Sequence, residues 1–366
     1  MKTPNISLRG KTILITGAAG FIGARLSQML LQRIQPLHII ALDDLNDYYT
    51  PQLKHWRLEQ IRQTANLYSN SGSKFTFICG SIADEGLLKR IFSSYEPSVV
   101  VNLAAQAGVR YSIEHPDTYI ESNIVGFFRV LEACRHSHDN DKVGVEHLIY
   151  ASSSSVYGGN TKMPYSTDDK TDSPVSLYAA TKKSNELLAY AYSKLYELPC
   201  TGLRFFTVYG PAGRPDMAYY KFIDRLLQGK SIQLYNFGNC MRDFTYVDDI
   251  VEGILRVMEC APAIERSADG HLIASHSVYN IGNSQPVKLL EFVRILQEEL
   301  VRAEILPEDF DFDAHTELLP MQPGDVEATY ADTSPLERDF GFRPTTPLRT
   351  GLRNFVQWYS DYYNNL

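Results

Sequence analysis

The chain has 366 residues, of which 44% are hydrophobic and 21% are charged, and its formal net charge at pH 7 is −8. This length suits one large domain or two ordinary ones, and the negative charge argues against binding nucleic acid through a broad basic surface. No apolar run approaches the roughly 18 residues that a membrane span needs, so we expect no membrane partner and a cytoplasmic location.

Short apolar runs alternate with amphipathic stretches through the first two hundred residues. The runs predict strands that are buried on both faces, and the stretches between them predict helices. Alternation of this kind predicts an α/β fold with a Rossmann-type, doubly wound parallel sheet. The predicted strands are Thr12–Thr16, Leu37–Leu42, Phe75–Cys79, Val99–Leu103, His147–Ala151 and Thr201–Phe206, and the predicted helices include Phe21–Arg33, Leu87–Tyr95, Thr118–His136 and Tyr178–Tyr196.

The regular alternation of predicted strands and helices ends at about Thr207, where a loop rich in glycine and proline begins. Helices are predicted at Tyr219–Gln228 and Val247–Met258, and a strand at Val278–Ile281. Shorter, less regular elements predict a smaller α/β lobe that is interleaved with the end of the first domain. The polar stretches Gln63–Ser73 and Ile264–His276 predict exposed loops.

A glycine-rich turn, Gly17-Ala-Ala-Gly20-Phe-Ile-Gly23, follows the first strand directly and opens a helix. In this context glycines allow a tight turn and close approach of a pyrophosphate to the helix N-terminus. Asp43 ends the second strand, where an acid accepts hydrogen bonds from a ribose diol and repels a 2′-phosphate, which favours NAD over NADP. The predicted cofactor contacts are Gly17, Gly20, Phe21, Ile22, Gly23, Asp43, Asn46, Ile82, Leu103, Ala104, Ala105, Asn123, Tyr178 and Lys182.

We expect two domains, from the position of the glycine-rich turn and from the end of the strand–helix alternation after about Thr207. The NAD-binding Rossmann domain is expected at 9–206 plus about 244–283, and the substrate-binding lobe at 207–243 plus about 284–366. Asn123 is predicted to be a buried polar residue that organises Lys182, and an ordinary exposed position on its helix is the alternative.

Tyr178 and Lys182 lie one helical turn apart, downstream of the four serines Ser152 to Ser155. A tyrosine that acts as a base near neutral pH needs a lowered pKa, and a lysine at i+4 can place a positive charge beside it. The five cysteines are scattered and form no Cys-x-x-Cys pair, which indicates reduced thiols and no metal site.

Several further segments match motifs that are shared among the members of one known family. They are NLAAQAGVRYS, YASSSSVYG, SLYAATKKSNE, LRFFTVYGPAGRPDM, MRDFTYVDDIVEG and QPGDVEATYADTSPLERDFGFRP. With the glycine-rich turn, they make the chain resemble the extended short-chain dehydrogenases/reductases of the nucleotide-sugar epimerase and dehydratase group, nearly from end to end. Within the group, the pattern is most similar to the UDP-glucuronate 4-epimerases. The resemblance implies a UDP-sugar substrate, a tightly held NAD and a homodimer formed through the helices at Thr118–His136 and Tyr178–Tyr196.

The resemblance also implies catalytic roles. Tyr178 is expected to remove the proton from the sugar 4-hydroxyl, Lys182 to lower the tyrosine pKa and hold the nicotinamide ribose, and Ser153 to bridge the hydroxyl and the tyrosine. The 4-keto sugar would then rotate and take the hydride back on its other face.

The positions after Ser153 distinguish reactions within the group. Dehydratases of this group carry Asp and Glu there, whereas this chain has Ser154 and Ser155. Neutral hydroxyls can donate hydrogen bonds to a carboxylate without repelling it. We therefore expect Ser154, Ser155 and Thr207 to hold the carboxylate of a uronic acid and to keep the 4-keto intermediate from losing carbon dioxide. The alternative is that the serines only form a tight turn.

The second lobe is expected to bind the nucleotide. By resemblance Arg242 is a diphosphate ligand, whereas Arg214 either faces the substrate or forms a structural salt bridge. Arg110 is a further candidate for the substrate, and Gln233 and Tyr235 are candidates for the uracil or, alternatively, packing residues. Ser81 and Ala212 depart from the group's usual Asp and Trp.

Three other readings stay open from the sequence. Two keep the fold and change the reaction, to a UDP-glucose-type 4-epimerase or to a UDP-glucuronate decarboxylase. The third is a non-catalytic NAD-binding regulator, although retention of both Tyr178 and Lys182 argues against it.

Overall fold

Seven parallel strands form the central sheet of the computed structural model, which describes residues 1–139, 143–322 and 326–364. The strand order is β13-β6-β5-β4-β1-β2-β3, and every neighbouring pair is parallel. These strands are β1 (Thr12–Thr16), β2 (His38–Asp43), β3 (Lys74–Cys79), β4 (Val99–Asn102), β5 (His147–Ser153), β6 (Cys200–Phe205) and β13 (His276–Ile281). The predicted Rossmann-type parallel sheet is confirmed.

Helices cover both faces of this sheet. They are α1 (Phe21–Arg33), α2 (Pro51–Leu67), α3 (Glu85–Tyr95), α4 (Tyr111–Glu114), α5 (Pro116–Tyr119), α6 (Phe127–His136), α7 (Leu177–Tyr196), α8 (Ala218–Leu227), α9 (Val247–Met258), α10 (Leu289–Arg302), α11 (Ser334–Phe340) and α12 (Leu348–Asn364). Alternate residues of β1 show the two layers: Ile13 and Ile15 pack with α1, and Leu14 packs with α3 and α6. A strand buried on both faces therefore needs a continuous apolar run, as β1 has.

Four two-stranded sheets lie outside the central one. They pair β7 (Thr207–Tyr209) with β10 (Phe244–Tyr246), β8 (Ile232–Tyr235) with β15 (Thr316–Leu319), β9 (Met241–Arg242) with β14 (Val287–Lys288), and β11 (Glu265–Arg266) with β12 (Leu272–Ile273). The chain thus leaves the central sheet after β6 and returns to it only at β13. Residues 323–325, inside the last of the shared motifs, lie outside the described residues.

Three local predictions differ from the structure. The predicted loop Gln63–Ser73 begins inside α2, because Leu53, Leu58 and Ile61 give that helix a buried face. The predicted loop Ile264–His276 contains the β11–β12 hairpin. The predicted helix Thr118–His136 is interrupted by a π-helical segment at Ile120–Gly126.

Candidate active site

The glycine-rich turn packs so closely against β4 that it requires glycine. Gly17 has a φ of 68°, and a Cβ there would lie 2.7 Å from the backbone nitrogen of Ala104. A Cβ on Gly23 would collide with the carbonyl oxygen of Gly17. Gly20 caps α1 without a side chain, so the N–H groups of the first helical turn face the space in front of it. This arrangement suits a phosphate group at the helix N-terminus.

Asp43 is buried at the end of β2, beside this turn. Its Oδ2 accepts a 3.0 Å hydrogen bond from the Ala19 N–H, and its Oδ1 accepts one of 2.9 Å from the Leu45 N–H. Burial raises the pKa of the carboxyl, and the two N–H groups and the Lys54 charge oppose that rise. Each carboxylate oxygen keeps a further lone pair that can accept from a ribose hydroxyl.

A cleft of about 1390 Å³, counted to its open mouth, runs from this turn to Tyr178. All the predicted cofactor contacts except Asn123 line it, and so do Ser153, Ser81 and Arg214. The structure therefore brings together the two features that are far apart in sequence, the glycine-rich turn and the Tyr178–Lys182 pair.

Asn123 lies behind the wall of the cleft and does not line it. It is buried, its Oδ1 accepts from the Gln106 N–H at 2.8 Å, and its Nδ2 donates to Thr181 Oγ1 at 3.0 Å. Its own carbonyl accepts a 2.6 Å bond from Asn185. The exposed alternative is thus excluded, and Asn123 connects the strand-end segment at Gln106 to the residue next to Lys182.

Lys182 is 3% exposed, and its Nζ donates a 2.8 Å hydrogen bond to the carbonyl of Ala151. Burial lowers the pKa of this lysine from its ordinary 10.5 to about 8. The bond ties α7 to the end of β5, the strand that carries Ser153 at its last position.

Tyr178 lies one turn before Lys182 on the cleft side of α7. Burial raises the pKa of its hydroxyl, whereas the Ser153 hydroxyl and the Arg214 charge lower it and Asp216 raises it further. The expectation that Lys182 itself lowers this pKa stays a prediction, because the groups acting on Tyr178 here are Ser153, Arg214 and Asp216.

Arg214 forms a salt bridge, and its role toward a substrate stays a prediction. It lines the cleft, and it forms a two-point ion pair with Asp216, at 2.9 Å from Nε to Oδ1 and 2.5 Å from Nη2 to Oδ2. Asp216 also accepts a 3.0 Å hydrogen bond from the Tyr48 hydroxyl. Burial and the Asp216 charge raise the pKa of that hydroxyl, so it stays protonated. Sequence reasoning missed Asp216 and Tyr48, although Asp216 stands in the same GRPDM segment as Arg214.

The three hydroxyl residues expected to hold a carboxylate do not line this cleft. Ser154 and Ser155 are half-buried in a 3₁₀ turn at Ser154–Tyr157, and Thr207 is half-buried at the start of β7. Ser153 lies beside Phe205 in the register of β5 and β6, so Ser154 and Thr207 follow the carboxyl ends of neighbouring strands. Part of the serine run is structural, since Ser152 donates a 2.6 Å bond to Glu186, which is paired with Arg204.

The remaining substrate candidates lie on the second lobe and on the segment that follows β4. The Arg110 guanidinium stacks 4.5 Å from the centre of the Tyr235 ring, and the Tyr235 hydroxyl donates a 3.2 Å bond to Gln233. Gln233 also donates to Glu317 across the β8–β15 pair. Arg242 donates to the carbonyls of Met241 and Glu327. Arg110, Gln233 and Tyr235 are thus one contacting group, and neither it nor Arg242 lines the cleft.

Two absences hold for the described part of the chain. It contains no group of three or more His, Cys, Asp and Glu side chains that could hold a metal ion. None of its helices has both the length and the apolar character needed to cross a membrane.

The chain is similar to known proteins along nearly its whole length. The model of the family described as GDP-mannose 4,6 dehydratase matches residues 14–355. Protein CapI of Staphylococcus aureus is 50% identical over 357 residues, which cover 96% of this chain and 99% of that protein. UDP-glucuronate 4-epimerase 4 of Arabidopsis thaliana is 44% identical, covering 97% of this chain and 76% of that protein.

A solved structure is similar over the same length. The UDP-glucuronic acid 4-epimerase from Bacillus cereus, in complex with UDP-glucuronic acid and NAD, superposes with a TM-score of 0.79 at 30% identity. The match covers 96% of this chain and 100% of that one.

Proposed function

Because this chain belongs to the GDP-mannose 4,6-dehydratase family of extended short-chain dehydrogenases/reductases, we propose that it is an NAD-dependent 4-epimerase that interconverts UDP-glucuronate and UDP-galacturonate. The observation that carries the proposal is the single cleft that joins the glycine-rich turn to Ser153, Tyr178 and Lys182. The similarity to UDP-glucuronate 4-epimerases supports the choice of substrate.

The residues present fit NAD. The turn at Gly17–Gly23 presents the N-terminus of α1 with no side chain capping it at Gly20, which suits a pyrophosphate, and Asp43 offers acceptors for a ribose diol. Leu103 and Ala104, which pack against the turn, line the cleft together with Ala105. NAD held by these residues would supply the acceptor for a hydride from carbon 4 of the sugar and the donor for its return.

The chain's own residues handle the proton. Tyr178, as phenolate, accepts the proton of the sugar 4-hydroxyl, which leaves a 4-keto sugar once carbon 4 has lost its hydride. Ser153 shares the hydrogen bond of that hydroxyl with Tyr178, and the Arg214 charge stabilises the phenolate. The 4-keto sugar then rotates in the site so that its other face meets the hydride. As the hydride returns to carbon 4, Tyr178 gives the proton back to the oxygen there, so atoms and charge balance over the cycle.

The hydroxyl residues favour a uronate over a neutral sugar. Ser154 and Ser155 occupy the positions of a dehydratase's acid and base, and Asp43 and Asp44, both at the end of β2, are the carboxylates among the described residues that line the cleft. Neither position directly after Ser153 carries an acid, so neither side chain there repels a negatively charged sugar. Ser154, Ser155 and Thr207 are proposed to bind its carboxylate and to hold it out of line with the carbonyl π system, which slows decarboxylation.

The uridine diphosphate is assigned to the second lobe, with the domain boundaries expected above. Arg242 is proposed to bind the diphosphate, and the Arg110–Tyr235–Gln233 group to face the uridine. These residues do not line the cleft in this conformation.

A homodimer is proposed through the segment 118–136 and α7. Apolar side chains on these elements are exposed in the single chain: Ile120 is 44% exposed, Leu187 60% and Tyr190 53%. Burying such side chains against a second copy supplies the hydrophobic free energy for association.

Product analysis tests the proposed reaction. The purified protein is incubated with UDP-glucuronate, without added NAD, and the nucleotide sugars are separated and identified by mass and NMR. UDP-galacturonate of unchanged carbon number is expected. UDP-xylose or a UDP-4-keto-pentose would instead assign decarboxylation, and conversion of UDP-glucose but not of UDP-glucuronate would assign a neutral-sugar epimerase. Bound NAD without turnover of any UDP-sugar would favour the non-catalytic regulator.

A further inference from the structure

Arg57, on α2, is a buried arginine whose hydrogen bonds reach two separate parts of the active site. It is 1% exposed. Its Nη1 donates to the carbonyl of Ala19 at 3.1 Å, and its Nε and Nη2 donate to the carbonyl of Ala212 at 3.1 and 2.7 Å. Nη2 also donates to the carbonyl of Gly213 at 2.9 Å. A buried guanidinium is thus satisfied by backbone carbonyls, with one further bond of 2.6 Å to the Tyr49 hydroxyl.

The first of these carbonyls belongs to the glycine-rich turn. Ala19 lies between Gly17 and Gly20, and its N–H donates to Asp43 while its carbonyl accepts from Arg57. Both polar groups of this residue are therefore fixed, one by the acid proposed to bind the ribose and the other by Arg57. The position of the turn depends on both contacts.

The other two carbonyls belong to the loop directly before Arg214. Ala212 has a φ of 54°, a backbone conformation that costs free energy for any residue other than glycine, so an outside contact is needed to hold it. Arg57 provides that contact with two nitrogens. The next residue after the held pair is Arg214, which lines the cleft and pairs with Asp216.

We infer that Arg57 is a positioning residue that couples the cofactor turn to the Arg214 loop, so that NAD and the nucleotide sugar bind cooperatively. NAD bound on the turn fixes Ala19, Ala19 fixes the Arg57 guanidinium, and the guanidinium holds the loop in the conformation that receives the substrate. By thermodynamic reciprocity the nucleotide sugar strengthens NAD binding by the same factor. The inference rests on the proposed function for the identity of the two ligands.

Only an arginine can make this connection. Its planar fork presents donors in three directions at once, whereas a lysine ammonium is a point charge that reaches one side of the fork. Arg57→Lys therefore keeps the charge and the buried stem and removes the span between Ala19 and Ala212.

The test measures binding of UDP by calorimetry to protein stripped of NAD, with and without saturating NAD. The wild-type protein is expected to bind UDP more tightly when NAD is present, by roughly 5-fold or more, the lower end of usual coupling energies. In Arg57→Lys the ratio of the two dissociation constants is expected to fall to near 1. Tight UDP binding to NAD-free wild-type protein with no gain from NAD would overturn the inference.

Arg25→Lys is the matched control. Arg25 lies on α1 and lines the same side cavity as Arg57, but its guanidinium pairs with Asp248 and contacts neither loop. The control is expected to keep the wild-type coupling ratio, and loss of coupling in both variants would contradict a specific role for Arg57. Should Arg57→Lys not fold, hydrogen exchange of the wild-type protein is the second measurement: the amides of Ala212, Gly213 and Arg214 are expected to exchange more slowly when NAD is bound, and unchanged exchange rates would overturn the inference.

The outcomes distinguish a failure of this inference from a failure of the proposed function. Coupling of NAD and UDP is measured without turnover, so a protein that couples them but does not epimerise UDP-glucuronate would sink the proposed reaction alone. A wild-type protein that binds neither NAD nor UDP would overturn both.

Discussion

The Lys182 ammonium donates its hydrogen bond to the carbonyl of Ala151, two residues before Ser153, rather than to the Tyr178 hydroxyl one turn away on the same helix. The bond fixes α7 against the end of β5, where Ser153 lies. A buried positive charge held by one carbonyl costs folding free energy, which shows in the lowered pKa of about 8. Under the proposed function the charge serves to hold the nicotinamide ribose, which would offset this cost in the NAD-bound protein.

Lys182→Met should therefore stabilise the NAD-free protein at pH 7, by about 2 kcal/mol after allowing for the lost hydrogen bond to Ala151. The lysine pKa is lower in the folded than in the unfolded chain, so between about pH 8 and 10.5 the unfolded chain binds more protons and the wild type gains stability as pH rises. The advantage of the variant should shrink over that window. Urea unfolding of both proteins at pH 7 and 10 measures it, and a constant difference would contradict the buried charge.

Tyr178→Phe should lower kcat by roughly 100- to 10,000-fold, the usual contribution of a positioned general base. The ring and its packing remain, so the dissociation constant for UDP and the melting temperature should stay near wild type. Tyr190→Phe, on the exposed side of the same helix, is the control and should keep full activity. A Tyr178→Phe enzyme with more than a tenth of wild-type kcat would remove Tyr178 from the mechanism.

The pH profile of kcat/KM should respond in opposite directions to the two members of the Arg214–Asp216 pair. The Arg214 charge lowers the pKa of Tyr178 and the Asp216 charge raises it. Because the phenolate is the active form, Arg214→Met should move the acidic limb of the profile to higher pH by about 1, and Asp216→Asn should move it to lower pH. Arg214→Lys keeps the charge and should leave the limb in place. Shifts of the same sign in both charge-removing variants would refute this electrostatic account.

Ser154→Ala and Thr207→Ala should increase the share of pentose product from UDP-glucuronate by roughly tenfold, equivalent to one lost hydrogen bond to a carboxylate, about 1.4 kcal/mol. Mass spectrometry of the nucleotide sugars measures that share. Ser184→Ala is the control, since its hydroxyl bonds only to the Ala180 carbonyl within α7. Unchanged product ratios in both test variants would count against the carboxylate clamp.

Asp43→Asn should weaken NAD binding and shift the ratio of NADP to NAD affinity toward NADP by roughly tenfold, because the repulsion between the carboxylate and a 2′-phosphate is gone. Fluorescence titration of the stripped protein with each dinucleotide gives the ratio. Asp47→Asn, four residues on and exposed, should leave it unchanged. An unaltered ratio in Asp43→Asn would mean that another residue selects NAD.

The residues predicted on the cofactor side of the site rest on a local signal in the sequence. Glycine spacing, a preceding strand and an acid at the end of β2 all lie between Thr12 and Asp43, and every residue predicted from them lines the cleft. Tyr178 and Lys182 likewise belong to one helical turn. Local patterns are read directly from the order of residues, so these predictions needed no knowledge of the fold.

The contacts that the sequence missed are formed by residues far apart in the chain. Arg57 meets Ala212 across 155 positions, and Tyr48 meets Asp216 across 168. Neither Arg57 nor Tyr48 lies in a short motif from which its partner could be predicted. The substrate candidates show the same limit. That Arg110 stacks on Tyr235 depends on how β8 packs against the segment that follows β4, which no spacing within either segment encodes.

The fate of the hydrogen on carbon 4 tests the central claim most directly. UDP-glucuronate deuterated at carbon 4 is incubated in ordinary water with the purified protein and no added NAD, and the galacto product is examined by NMR and mass spectrometry. Return of the same hydride predicts UDP-galacturonate that keeps its deuterium at carbon 4. A galacto product with ordinary hydrogen at carbon 4 would contradict the account, since it would mean exchange with solvent instead of hydride removal and return.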